Sequence, residues 1–389
     1  MNIKETKELL KYLPSNQALM LKGIHGIGKS VFIKEYFEEQ GYNVHVFFGA
    51  TAADAGDIIG LPDIEVMTKV DSEGNEYTYK HTIFNPPQWW PTDPNEKVVV
   101  FLDEANRAKP DIQNCFMDMI LNRKLNGREL GENVRIVAGI NPSDTGFYEV
   151  HQSDPAFMDR FVVVDFTPSV EEWVDYAMSR DVHSLVVDFI RTNAAMLDPD
   201  ISKVVELQPS RRSWVACGKF FDSIETINNT SILDDGGSLK ESYSQACSNY
   251  IRSKMGDVAS ATFNRFCKSR KRSVSAEDIL TGDHDKVSTV ISKLTTSEIC
   301  YVNLEVYYWL QRNTAKWGSK GNYQDKVINN LLKYIQSINK ELALHLLDKM
   351  IVEWNNSKAE KVNGRNWVEI ILKAKSEFTT LVSDMIRGK

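Results

Sequence analysis

The segment "GIHGIGKS", Gly23 to Ser30, directly follows the apolar run "ALML" (Ala18 to Leu21), and its reading decides the fold. It matches G-x-x-x-x-G-K-[ST] at Gly23, Gly28, Lys29 and Ser30, with a further glycine at Gly26. Glycines at such positions let successive backbone N–H groups wrap an anion without Cβ clashes. Lys29 would reach β- and γ-phosphates, and Ser30 would offer its hydroxyl to magnesium. A helix starting at Lys29 would aim its positive end at the same anion. Eight residues do not separate a phosphate cradle from a glycine-rich turn. The reading depends on whether the downstream chain supplies a metal carboxylate, a water-activating group and sensors of a terminal phosphate. His25, inside the loop, reads as a packing or solvent-facing histidine.

Around this loop, short apolar runs alternate with helical patterns. "ALMLKGI", "VHVFFGA" (Val44 to Ala50), "KVVVFLDE" (Lys97 to Glu104), "NVRIVAGIN" (Asn133 to Asn141) and "RFVVVDF" (Arg160 to Phe166) are five strand candidates. Helix-compatible stretches lie at Lys29 to Glu39 and in "PDIQNCFMDMIL". β-rich runs separated by helices predict an α/β fold with a parallel sheet covered on both faces. Two connections look like insertions. Residues 51 to 96 contain "FNPPQWWPTDP", whose prolines and tryptophans argue against a continuous helix. "NGRELG" predicts a small hairpin before the fourth strand.

"VVVFLDEANR" puts two acids at the end of a buried strand, where neighbours hold them rigidly. Asp103 is suited to magnesium-bound water, and Glu104 to polarising an attacking water. The next strand ends in "GIN", and Asn141 there can hydrogen-bond a γ-phosphate and the lytic water without competing for the metal. Two arginine groups remain, Arg160 before the fifth strand and the pair in "PSRRSW" (Pro209 to Trp214). Either Arg211 or Arg212 is placed to close over a nucleotide, since guanidinium geometry suits transferring phosphoryl oxygens.

Composition excludes several classes. The formal net charge is -7, so nothing global draws the chain to nucleic acid or an anionic membrane. The N-terminus "MNIKETKELLKYL" has charges where a signal peptide needs an apolar core, and no apolar run is long enough to span a bilayer. Five scattered cysteines, at 115, 217, 247, 267 and 300, form no CxxC pair. Neither a zinc knuckle nor a disulfide scaffold is expected, and a reducing cytoplasm fits.

After Pro168 the pattern turns helical, as in "SVEEWVDYAM" and "LVVDFIRTNAAML", with a break at "DDGG" (Asp234 to Gly237). Ser275 with Asp278 predicts a capped helix start. Val327, Leu331, Ile335, Ile338, Leu342 and Leu346 fall on one helical face. Tyr307, Tyr308 and Trp309 read as core. The expected organisation is an α/β nucleotide-binding core over 1–168, a helical lid over 169–233 and a helical C-terminal region over 234–389, whose functional reading beside core is the docking of a client or partner.

These residues together resemble an AAA+ ATPase of the MoxR-like bacterial and phage group, over about residues 5 to 225. "GIHGIGKS" is similar to the family's Walker A and "VVVFLDEANRAKPDIQNCFMDMI" to its Walker B. "VRIVAGINP" resembles sensor 1, "DPAFMDRF" the arginine-finger segment and "SRRSW" sensor 2. The resemblance implies ATP and Mg2+ as cofactors and a ring, usually of six subunits, with nucleotide between neighbours. Arg160 would be the finger, Arg212 the better sensor 2 match, and Arg107 a residue facing a neighbour. Residues 51–96 would be the insertion in helix 2 and "NGRELGEN" the hairpin before sensor 1, both facing pore or client. His25 and Arg211 stand where the group has proline, and Ile27 where a small residue or threonine is common. Beyond 240, only "GDVASATFNRF" and "SVSAEDIL" look like a segment of some phage-type members.

The implied job is remodelling or assembly of a protein client, with a von Willebrand factor A domain protein as a separate partner chain. A nucleic-acid motor is the first alternative. Its features would be "CKSRKR" (Cys267 to Arg272) and base stacking on Trp89 and Trp90, but four charges are a small footprint. An assembly scaffold with little turnover is the second, and the intact Glu104 and Arg160 argue against it.

Overall fold

The computed structural model describes residues 1–52, 54–93, 95–142, 155–198, 200, 207–234, 237–270, 274–355, 361–362, 365–374, 378 and 380. Asp154 of "DPAFMDRF", Asp235 and Gly236 of "DDGG", and Lys271 and Arg272 of "CKSRKR" lie outside them. The chain forms two compact units. One comprises Met1–Trp173, Ile190–Ala216 and Ile251–Ala259, the other Val174–Phe189, Cys217–Tyr250 and Ser260–Lys389.

The first unit opens with helix α1 (Ile3–Tyr12), started by a capping box between Asn2 and Glu5. Strand β1 (Ala18–Lys22) runs into the glycine loop and helix α2 (Lys29–Glu39). β2 (Asn43–Phe48) leads through the short α3 (Gly56–Ile59) to a hairpin of β3 (Leu61–Val70) and β4 (Glu76–Asn85). Then come β5 (Val98–Asp103), α4 (Pro110–Asn122), the small hairpin β6 (Lys124–Leu125) and β7 (Arg128–Glu129), β8 (Val134–Ile140), α5 (Pro155–Met158) and β9 (Phe161–Asp165).

All five expected strands pair into one parallel sheet, in the order β2-β5-β8-β1-β9. Alternation along β5 explains why. Val98, Val100 and Leu102 join Ile112, Phe116 and Met119 of α4 in one core, while Val99 and Phe101 join Ile33 and Phe37 of α2 in the other. A strand buried on both faces must be apolar throughout. Each such side chain contributes roughly 1.5–3 kcal/mol on burial.

The insertion over 51–96 is mainly the β3–β4 hairpin, with β3 exposed along its whole length. Its base is fastened by the two tryptophans. Trp90 is buried, and Trp89 packs on Phe47 and Phe116 while its indole N–H donates to the Asp57 carbonyl at 3.0 Å. Trp90 belongs to the core and Trp89 packs against it. The expected small hairpin is β6–β7, turned by Asn126 and Gly127, both at positive φ, as a type I′ turn requires.

The helices continue as α6 (Val170–Ser179), α7 (Ser184–Thr192), α8 (Arg211–Asn228), α9 (Glu241–Met255), α10 (Asp257–Ser269), α11 (Ala276–Thr281), α12 (His284–Ile291), α13 (Thr296–Arg312), α14 (Thr314–Trp317), α15 (Asn322–Ser337), α16 (Lys340–Asn355) and α17 (Trp367–Ala374). The Ser275–Asp278 capping box is present. The single helical face expected from Val327 to Leu346 is instead split between α15 and α16. Ile338 is extended, and the Asn339 side chain accepts the Leu342 N–H at 2.9 Å, restarting the helix. All six apolar residues of that face are still buried. Tyr307 and Tyr308 are buried as well. The five cysteines are free thiols, and burial pushes Cys247 and Cys267 up to about 12, so neither is a ready thiolate. Among the described residues no helix is long and apolar enough to cross a membrane.

Candidate active site

The site assembles where three neighbouring strands end. β5 ends at Asp103, β8 runs into Asn141, and β1 runs into the loop, whose Gly23 N–H donates to the Ile140 carbonyl at 3.1 Å. Carboxyl ends of adjacent parallel strands are the usual ligand crevice of an open α/β sheet. Gly28 caps α2 at φ 107°, a conformation strained for any side chain, and open space lies where its Cβ would be. Four of the residues expected here meet directly. Lys29 Nζ donates to the carbonyls of Gly23 (2.6 Å) and Ile24 (3.1 Å) and to Asn141 Oδ1 (3.0 Å). Ser30 Oγ donates to Asp103 Oδ2 at 2.6 Å. Burial holds the Lys29 ammonium down at about 8, against the opposing pull of Asp103 and Glu104; Arg212 adds to the depression.

Glu104 stands at φ 53°, a left-handed conformation unusual for a non-glycine residue. Its carboxylate accepts from Arg107 Nη1 at 3.2 Å, so Arg107 is engaged within its own chain. Asn141 is 2% exposed, and its side-chain N–H2 has no partner among the described residues. Because an ammonium offers only donors, the atom facing Lys29 has to be the oxygen, which leaves the amide nitrogen as a buried, unused donor.

Asn106 is a residue that sequence reasoning passed over. Its amide donates to the Asn141 carbonyl (2.7 Å) and accepts the Asn141 N–H (3.3 Å), and it is 1% exposed. The signal available was an amide in the turn after the two acids, a turn whose mate is visible only in three dimensions. Ser210 was also passed over. It lies against Gly26, 3.2 Å from where a Cβ there would sit, and it exchanges hydrogen bonds with Ser213 to open α8.

The two arginines of "PSRRSW" have separate surroundings. Arg211 is buried, paired in a two-pronged fork with Asp198 (both 2.8 Å) and donating to the Pro168 carbonyl at 2.6 Å. Arg212 is exposed, and its charge reaches both Lys29 and His25. His25 is held below its ordinary value by burial, then by Arg212, Lys29 and Arg107, with Glu104 pulling the other way. Arg160 lies apart from this group. Its guanidinium donates to the Ala156 carbonyl, and no cradle residue is among its partners in the described chain.

The donor set fits the group that this loop implies. The unused amide of Asn141, the ammonium of Lys29 and the open face of Gly28 suit a polyphosphate. The hydroxyl of Ser30 beside the Asp103 carboxylate is the hard-oxygen pair that Mg2+ prefers. A second cluster, His183, Asp222 and Glu225 of the other unit, has ligand atoms within 4.8 Å of one another. The Leu185 N–H donates to His183 Nδ1, which puts the imidazole proton on Nε2, facing Glu225 at 3.4 Å. The nitrogen a metal would need carries a hydrogen, so the cluster reads as a hydrogen-bonded cap.

Residues 18–161 match the family model for the AAA domain, dynein-related subfamily, well under half of the chain. No curated protein matches. Among solved structures, the chain resembles NtrX from Brucella abortus in complex with ADP at 13% identity, with 75% of this chain and 64% of that one covered and a TM-score of 0.35. It thus spans less than two thirds of NtrX. The Thermotoga maritima RuvB Holliday junction branch migration motor is 14% identical over 85% of this chain and 86% of that one, with a TM-score of 0.35. A putative ATPase from Cytophaga hutchinsonii is 13% identical over 75% and 89%, at 0.31. Residues 18–161 carry an AAA-type P-loop domain, a domain that in general terms belongs to ATP-hydrolysing enzymes.

Proposed function

We propose that this chain is a MoxR-like AAA+ ATPase which assembles into a ring, of six subunits by analogy with its resemblance, and uses ATP hydrolysis to remodel a protein client. The observation carrying the reading is the meeting of Lys29, Ser30, Asp103 and Asn141 at adjacent strand ends, with one buried amide donor left over. In this reading Gly23, Gly26 and Gly28 shape the cradle, and Lys29 neutralises the β- and γ-phosphates. Ser30 and Asp103 would hold Mg2+, which when bound offsets phosphate charge. Glu104 takes the proton of the attacking water once Arg107 releases it, and Asn141 orients that water and the terminal phosphate. Arg212 closes from the lid side of the loop, and Arg160 is offered to a neighbour's nucleotide.

The client reading is favoured over a nucleic-acid motor by Trp89 and Trp90, whose rings serve the core. A von Willebrand factor A domain protein is the partner class the resemblance suggests. The test is capture with Glu104→Gln in Mg2+ and ATP, alongside phosphate-release assays of the natural protein with and without DNA, RNA and captured chains. Turnover stimulated by a captured protein supports the proposal. Turnover stimulated by nucleic acid alone, or absent altogether, would overturn it.

A further inference from the structure

Asn106 makes no contact that a ligand would need, yet its position is unusually constrained. Its side-chain amide satisfies both backbone hydrogen-bonding groups of Asn141, donating to the carbonyl at 2.7 Å and accepting the N–H at 3.3 Å. Both residues are buried, at 1% and 2% exposure. Such a two-point clamp copies a step of strand pairing, though Asn106 lies in the turn beyond β5, which has already ended at Asp103. The Asn141 side chain is held in turn by Lys29 through Oδ1. With main chain and oxygen both fixed, the amide nitrogen of Asn141 has one direction left, and no protein acceptor meets it there among the described residues. A buried donor without a partner is unfavourable, and an arriving acceptor would relieve it.

We infer that Asn106 is a positioning residue for nucleotide discrimination: it acts through the main chain of Asn141 to hold that residue's free amide toward a terminal phosphate. The inference rests on the ATPase reading above and adds a named device to it. ADP has no γ-phosphate, so it gains little from the free amide, whereas a triphosphate gains a hydrogen bond from a donor already oriented. A residue that merely closed the 105–107 turn would instead support both nucleotides equally.

Calorimetry with Mg·ADP and with the slowly hydrolysed Mg·ATPγS tests this on wild type, Asn106→Ala, Asn141→Ala and the double variant. Asn106→Ala should weaken ATPγS about tenfold, as expected for one hydrogen bond to a charged group, and change ADP by no more than about twofold. The double variant should be no weaker than Asn141→Ala alone, because both changes disable the same amide. Asn106→Asp serves if the alanine variant does not fold. It keeps the acceptor for the Asn141 N–H but turns an oxygen toward the carbonyl, and the same selective loss is expected. Equal loss of both nucleotides, or additive losses in the double variant, would overturn the inference while leaving the ATPase reading standing. Wild type that binds neither nucleotide would overturn both.

Discussion

Lys29 is the residue whose environment makes the sharpest statement. Burial lowers its amine to about 8 in the free protein, so protonating it there is harder than in an unfolded chain. Between about 8 and the ordinary lysine range the unfolded state binds more protons, and this residue's contribution to stability rises with pH across that window. Nucleotide phosphate reverses the bias by favouring the charged form. Affinity for Mg·ATP should therefore be nearly flat below pH 7 and weaken above pH 8, by up to about tenfold per unit. A titration from pH 6.5 to 9.5 with Lys29→Arg as control checks this, since guanidinium stays charged throughout. An unchanged slope in Lys29→Arg would remove Lys29 as the cause. The arginine pair makes an opposed prediction. Arg211→Ala strips a buried fork from Asp198 and should cost roughly 2 kcal/mol of stability. Arg212→Ala should leave the melting temperature nearly unchanged while turnover falls at least about tenfold. Melting curves beside phosphate release decide between them, and swapped phenotypes would refute the assignment. Their difference was not legible in "SRRSW", because adjacent arginines look alike until Asp198 and the Pro168 carbonyl are seen around one of them.

Among the elements, the five sheet strands were readable because burial on two faces demands continuous apolar runs such as "VVVFL". The β3–β4 hairpin was not, since it has no core to answer to. It holds itself together along one face, where His81 meets Glu65 at 3.4 Å and Lys69 lies over Tyr79. The other face leaves Ile64, Val66 and Val70 more than half exposed. Replacing residues 62–84 with a short Gly-Ser turn should thus shift the melting temperature by only about 2 °C, because little apolar area is lost from the core. ADP affinity should be unaltered, as read by calorimetry. A large drop in melting temperature would show that the hairpin supports the sheet. The break between α15 and α16 escaped the periodic reading for a different reason: an N-cap asparagine inside an apolar face interrupts the backbone without interrupting the pattern.

For the whole molecule, the ring proposal concerns Arg160 and Glu104. A 44.3 kDa chain carrying Glu104→Gln should sediment as a larger species in Mg·ATP and revert when nucleotide is removed. Arg160→Ala should keep ADP affinity within about twofold yet lose turnover by about a hundredfold or more. Mixing it with Glu104→Gln subunits should restore part of the activity, since each supplies what the other lacks across a shared interface. No recovery in the mixture would mean that Arg160 does not act on a neighbour.

The α/β class, the strand count, the glycine loop after β1 and the two acids at the end of β5 all follow from local pattern, because each rests on a periodicity or a spacing along the chain. The clamp of Asn106 on Asn141, the burial of Arg211 beside the exposure of Arg212, and the holding of Glu104 by Arg107 do not. Those depend on which segments become neighbours once the sheet has formed. Hydrogen-bond partners from distant segments are set by packing, and a linear pattern records an asparagine or an arginine without recording what it will face.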